Sequence, residues 1–123
     1  MSTHTDTPAV PGKIELTVFM LVKSSPEWLA LSQERRVRML VEHVEPILRR
    51  HEDEVKVRFY DVEFYSARVT DIWLWEATSH RAYQSLVEAL RDTPMWDRYF
   101  DIVEILPAVQ NGYDGDLGRR LAA

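Results

Sequence analysis

The sequence predicts an α+β domain in which a four-stranded antiparallel sheet carries its helices on one face. Three observations predict it. Runs of alternating apolar residues suited to strands occur four times, and amphipathic helical stripes follow the first and the third of them. The most distinctive run, Thr70-Asp71-Ile72-Trp73-Leu74-Trp75-Glu76, carries large apolar groups on both parities, so both faces of that strand need cover.

The first strand is read over Lys13 to Lys23, with Ile14, Leu16, Val18, Met20 and Val22 on one face and Glu15, Thr17, Phe19, Leu21 and Lys23 on the other. Ser25-Pro26 opens a short capped turn containing Trp28. Ser32 caps a long helix running to about His51, in which Val37, Leu40, Val41, Val44, Ile47 and Leu48 form one stripe. Pro46 has no N–H to give the Glu42 carbonyl, so a kink or an early end is expected there.

Val55 to Ser66 reads as the second strand, with Val55, Val57 and Phe59 on one face and Lys56, Arg58 and Tyr60 on the other. Val62 and Phe64 have the opposite parity, which predicts a bulge near Asp61. The third strand is Val69 to Ala77. Thr78 or Ser79 then caps a helix with Ala82, Tyr83, Leu86, Ala89 and Leu90 on its buried stripe. Thr93-Pro94 opens a turn containing Met95 and Trp96, and the last strand runs from Tyr99 to Leu106, halted by Pro107.

The order β-α-β-β-α-β is that of a ferredoxin-like domain. Residues 13–110 form the domain, 1–12 a loose polar tail, and 111–123 a flexible C-terminal tail. The phase of each strand places Ile72 and Leu74 under the helices with Val18, Met20, Val57 and Phe59. It leaves Thr17, Phe19, Leu21, Arg58, Tyr60, Trp73 and Trp75 on the open face. So much exposed apolar surface predicts a homodimer packed sheet against sheet, or a hydrophobic small molecule sheltered there.

A net charge of −5 and a pI near 5.3 argue against a nucleic-acid partner. No apolar run has the length of a membrane span, and the first twelve residues lack the pattern of a secretory signal. The chain has no cysteine, which excludes disulfides and thiol catalysis and fits a cytoplasmic location. No zinc spacing, calcium loop, phosphate-binding glycine loop or nucleophile elbow occurs, so neither metal nor cofactor is expected. The histidines are scattered: His43 beside the stripe of the first long helix, His51 at its end, His80 in a first turn. A haem held through His43 is the one cofactor alternative.

The candidate site is the polar set among the aromatics of the open face. Asp71 is the proposed proton acceptor, Arg58 the holder of an anionic or enolate oxygen and Tyr60 a donor, with Trp73, Trp75 and Phe19 as walls. The structural alternative is a cross-strand Arg58–Asp71 ion pair that fixes register. Glu63 and Arg68 are expected to pair across the hairpin, and Glu76 to meet solvent or a helix end.

The segments Phe19-Met20-Leu21-Val22-Lys23, Pro26-Glu27-Trp28-Leu29, Arg58-Phe59-Tyr60-Asp61-Val62-Glu63, Ser66-Ala67-Arg68, Asp71-Ile72-Trp73-Leu74-Trp75-Glu76 and Thr93-Pro94-Met95-Trp96 resemble the darcynin family of small bacterial proteins. The resemblance covers about residues 14 to 113 and carries over no catalytic residue. By element order the chain also looks like the dimeric α+β barrel superfamily, which includes cofactor-independent monooxygenases, lactone isomerases, polyketide cyclases and haem enzymes. That looser resemblance implies a pocket between sheet and helices or at a dimer interface. The expected function is a cofactor-free enzyme of biosynthesis acting on a hydrophobic carbonyl or polyketide-like substrate by proton transfer, cyclisation or oxygenation. The alternative is a non-catalytic dimeric binding module.

Overall fold

The computed structural model describes residues 10, 12–110 and 119–121. Most of the two predicted tails lies outside them, although Val10, assigned to the first tail, is buried. The elements are β1 (Leu16–Ser24), α1 (Pro26–Leu29), α2 (Gln33–Met39), a π-helical turn (Leu40–Val44), α3 (Glu45–Arg50), β2 (Val55–Asp61), β3 (Asp71–Ala77), α4 (His80–Arg91) and β4 (Phe100–Ala108). The strands form one antiparallel sheet of order β2-β3-β1-β4, which is the predicted ferredoxin-like arrangement.

The most apolar strand is central. Leu16, Val18, Met20 and Val22 of β1 are all buried and face Ile47, Ala82, Leu86 and Leu90 from the helices. The caps are those the sequence announces: Ser25, Ser32 and Ser79 accept from the backbone N–H groups of Trp28, Arg35 and Ala82. The stripe on α4 is buried at Ala82, Leu86 and Leu90. His51 ties α3 to α4, its Nδ1 lying 2.8 Å from the Ile47 carbonyl and its Nε2 3.2 Å from Ser85 Oγ.

Pro46 leaves the helical path continuous but changes its winding. The Glu45 N–H bonds the Leu40 carbonyl, five residues back, so the chain makes a wide turn just before the proline. The turn adjoins the position where Pro46 has no N–H to offer.

The phase of β3 is the main correction. Trp75 lies opposite Val18 on β1 and Val57 on β2, and Trp73 lies opposite Met20 and Phe59. Directly opposed residues share a face. Trp73 and Trp75 are therefore beneath the helices, 9% and 1% exposed, while Ile72 and Leu74 are on the open face. Apolar residues on both parities left the phase open to alternation alone, and the pairing of β3 with two neighbours fixes it.

Two smaller corrections follow. β2 runs in unbroken register from Val55 opposite Ala77 to Asp61 opposite Asp71, so it has no bulge and ends at Asp61. The change of parity at Val62 and Phe64 arises because the chain has already left the sheet. A bulge occurs instead on β4, where Leu21 faces Glu104 and Val22 faces Ile102, leaving Val103 as the extra residue. β4 also continues through Pro107 to Ala108; it pairs only with β1, and an edge strand tolerates a residue without an N–H.

The open face presents two rows across the sheet, Arg58–Leu74–Phe19–Leu106 and Tyr60–Ile72–Leu21–Glu104. Glu76 is on this face. Its carboxylate lies 3.0 Å from Arg58 and 3.5 Å from Lys56, so it meets neither open solvent nor a helix end. Arg68 pairs with Glu104 at 3.5 Å, in place of the expected Glu63. No helix of the described residues is long and apolar enough to cross a membrane.

Candidate functional site

Bringing the two indoles under the helices opens an aromatic cavity of about 560 Å³ between sheet and helices. Its floor is Trp73 and Trp75 of β3, with ring centroids 6.5 Å apart and planes near perpendicular. Phe100, at the start of β4, packs 5.1 Å from Trp73 and 5.0 Å from Trp28 of α1. Such tilted contacts suit the ring quadrupoles and hold the wall rigid. Leu40, Val41 and Val44 line the opposite side, so the wide helical turn forms part of the wall. Phe59 stands at the mouth, edge-on to Trp73 and 58% exposed.

Arg98 Nη2 and Nε reach the same Glu27 carboxylate oxygen at 2.6 and 3.0 Å, clamping α1 to the turn before β4. That turn contains Asp97 with φ of 71°, a left-handed conformation that aspartate tolerates better than most residues. The clamp keeps Trp28 against Phe100. Trp28 thus both closes the core and lines the cavity.

The polar part of the cavity is carboxylic. Asp61 at the end of β2 and Asp71 at the start of β3 are direct cross-strand partners, and Glu63 follows Asp61 by two residues. Asp71 is half-buried, and its pKa is raised from 3.8 to about 6. Burial in the aromatic wall is the main cause, opposed by the hydrogen bond from Thr70 and reinforced by a hydrogen bond with Asp61 and the charges of Asp61 and Glu63. The Ser24 N–H donates to Thr70 Oγ1 at 2.8 Å, and that hydroxyl donates to Asp71 Oδ2 at 2.6 Å. The relay fixes the Asp71 carboxyl beside its cross-strand partner Asp61. Neighbouring carboxyls in such a setting share a proton more readily than they ionise together.

The structure brings together Asp71, Trp73 and Trp75 of the predicted set. Arg58, Tyr60 and Phe19 are on the other face of the sheet, and Arg58 is bound to Glu76 and not to Asp71. The expectation that Asp71 and the indoles share the open face with them is therefore overturned. Their place is taken by Asp61, Glu63, Thr70 and Arg36. Arg36 lines the cavity with its guanidinium bonded to the carbonyls of Trp28 at 3.2 Å and Leu29 at 2.9 Å. The signal for Asp61 was present in the sequence: a hairpin pairing that starts at Val55 with Ala77 puts Asp61 opposite Asp71.

The cavity was tested against a haem held by histidine. No described histidine lines it, and His43 lies in a separate depression with Glu42, Pro46 and Arg50. A carboxylate set without imidazole does not fit axial ligation by histidine. Among the described residues, no group of three or more His, Cys, Asp or Glu is placed to hold a metal ion.

The darcynin family model, described as a domain of unknown function, matches residues 1–123. A darcynin homolog from Granulibacter bethesdensis is 61% identical over 104 residues, covering 85% of this chain and 84% of that protein. Darcynin from Chromobacterium violaceum is 41% identical over 80 residues, covering 62% of this chain and 100% of the relative. Among solved structures, a chlorite dismutase variant from Candidatus Nitrospira defluvii matches with a TM-score of 0.67 at 24% identity, covering 78% of this chain and 40% of that one. The chlorite dismutase of the same organism in complex with imidazole matches with a TM-score of 0.68 at 23% identity, over 78% of this chain and 40% of that one. The chain thus spans about two fifths of the length of these solved chains, and the likeness concerns the fold. On the whole-chain match and the identity to its curated relatives, the chain belongs to the darcynin family.

Proposed function

We propose that the aromatic cavity takes up a largely apolar small molecule and that Asp71, hydrogen-bonded to Asp61, transfers a proton to or from it. The observation that carries this reading is a carboxyl pair set in an aromatic cavity, with the Asp71 pKa at about 6. A carboxyl poised there exists in both protonation states near neutral pH, the condition for general acid–base work. Thr70 acts as a positioning residue through its 2.6 Å bond. Arg58 and Tyr60 do not take part, because the sheet separates them from Asp71. The substrate class is a hydrophobic carbonyl compound, and the compartment a reducing one such as the cytoplasm.

The test is hydrogen exchange. A panel of aromatic ketones in deuterated water is followed by NMR for deuterium entering the carbon next to the carbonyl, with saturation transfer reporting binding. The native chain is expected to bind a ketone and speed exchange; Asp71→Asn is expected to bind it and lose the acceleration. Binding without exchange in the native chain would leave a carrier or sensor as the better reading. Absence of binding across the panel would remove the cavity reading.

A second copy on the open face is a separate proposal, favoured by the exposure there of Phe19, Tyr60 and Leu106 at 36%, 44% and 43%. Full burial of such a side chain is worth about 1.5–3 kcal/mol, so covering about 40% of three yields only about 2–4 kcal/mol per subunit. That is comparable with the lower range of association costs. The dimer is therefore weak and concentration-dependent, and sedimentation over a wide concentration range tests it.

A further inference from the structure

We infer that the molecule bound in the aromatic cavity is a cation, an apolar body carrying a protonated amine. The inference rests on the cavity reading above and narrows its ligand class. Its first support is the charge of the lining. Among the described residues that line the cavity, the carboxyls are Glu45, Asp61, Glu63 and Asp71, and the one cation is Arg36. Arg36 offsets only part of this charge, its guanidinium being held by two backbone carbonyls of α1 and not by a lining carboxyl. Glu45 is paired with Arg49 at 3.3 Å, but even with Asp71 protonated, Asp61 and Glu63 leave excess negative charge against an apolar wall. An anionic ligand would be repelled there, and a neutral one would leave the charge uncompensated.

The second support is the wall itself. Trp28, Trp73, Trp75, Phe59 and Phe100 surround the carboxyls, and indole and phenyl faces attract a desolvated ammonium group.

A cation bound beside Asp71 favours its ionised form and so expels its proton. The charged groups lining the cavity with Asp71 are Asp61 at the end of β2, Glu63 after it, Arg36 on α2 and Glu45 on α3; β1 contributes only the neutral Ser24. The dependence below neutrality comes from Asp71, whose pKa is raised to about 6. Affinity for an amine should therefore rise with pH as Asp71 loses its proton, and each binding event should release a fraction of a proton to the buffer.

The experiment is isothermal titration of the full chain with three matched probes, naphthylethylamine, naphthylethanol and naphthylacetate. At about pH 8 the amine is expected to bind at least about tenfold more tightly than the alcohol, with the carboxylate weakest. The advantage should shrink at about pH 5, and the binding heat at about pH 6 should vary with buffer ionisation as protons are released. The Asp61→Asn/Asp71→Asn double variant should lose most of the preference for amine over alcohol, keeping only the share owed to Glu63. Glu63→Gln, an exposed change that leaves the fold undisturbed, should lose part of the preference and guards against misfolding of the double variant. Equal binding of amine and alcohol to the native chain would overturn the inference while leaving the cavity reading intact. A preference undiminished in both variants would overturn it as well. Failure of all three probes to bind would remove the cavity reading, and this inference with it.

Discussion

Asp71→Asn should stabilise the protein near neutral pH and leave it almost unchanged in acid. The folded chain raises the Asp71 pKa from 3.8 to about 6, so between those values the folded state holds a proton that the unfolded state has released. Stability from the protonated carboxyl is fully present below about pH 3.8 and is lost as the pH rises through about 6. A rise of that size corresponds to about 3 kcal/mol, which solvent screening of a half-buried group reduces to about 1–1.5 kcal/mol. Asparagine can still accept the Thr70 hydrogen bond and never ionises. Urea titrations of both proteins at about pH 4 and pH 7.5 measure the difference, and subtracting one from the other cancels carboxyls common to both. The variant should gain about 1–1.5 kcal/mol at the higher pH and close to nothing at the lower. A variant equally destabilised at both pH values would show that the carboxylate is a satisfied structural anchor and would refute the reasoning.

Leu86→Ala should cost about 2–5 kcal/mol in urea unfolding, since Leu86 is 0% exposed between α4 and the sheet. Ser79→Ala should cost about 1 kcal/mol by removing the oxygen that accepts the Ala82 N–H at the start of α4, with lower helicity by circular dichroism. Arg58→Ala should change stability by less than about 1 kcal/mol, because Arg58 is half open to water and Lys56 still pairs with Glu76. The same variant should leave cavity binding unchanged in titration, and a loss of binding would contradict the placement of Arg58 on the far face. Phe19→Asp should abolish any concentration-dependent dimer in sedimentation without altering the unfolding midpoint of the monomer.

The order of elements, the three serine caps and the buried face of β1 were readable because each rests on local chemistry or a single apolar parity. β3 was not. Its two faces, Ile72 with Leu74 and Trp73 with Trp75, are both apolar, so the sequence contained no contrast to read. The choice is made by the strands on either side, and it decided the whole site: Asp71 and the indoles were correctly grouped with one another and wrongly grouped with Arg58, Tyr60 and Phe19. For Asp61, the partner that the structure supplies, the parity change at Val62 and Phe64 predicts a bulge. That change marked the end of a strand and not a fault within one. Arg36 and Glu63 resemble ordinary surface charges in the sequence, and only the return of α1 and α2 over the sheet brings them to the cavity.

The wide turn at Leu40–Val44 has a consequence for what this helix can tolerate. Deleting a residue from an ordinary helix rotates everything beyond it by about 100°, which would swing Ile47 and Leu48 out of the core. Here a surplus residue is already stored in the coil. Removing one amino acid at this point would let the spiral heal to regular winding with its downstream packing preserved, whereas the same excision a turn earlier, among Glu34 to Val37, would be ruinous. The protein thus carries, next to its cavity, a place where the chain can shorten by a single step and reshape the chamber without losing its fold.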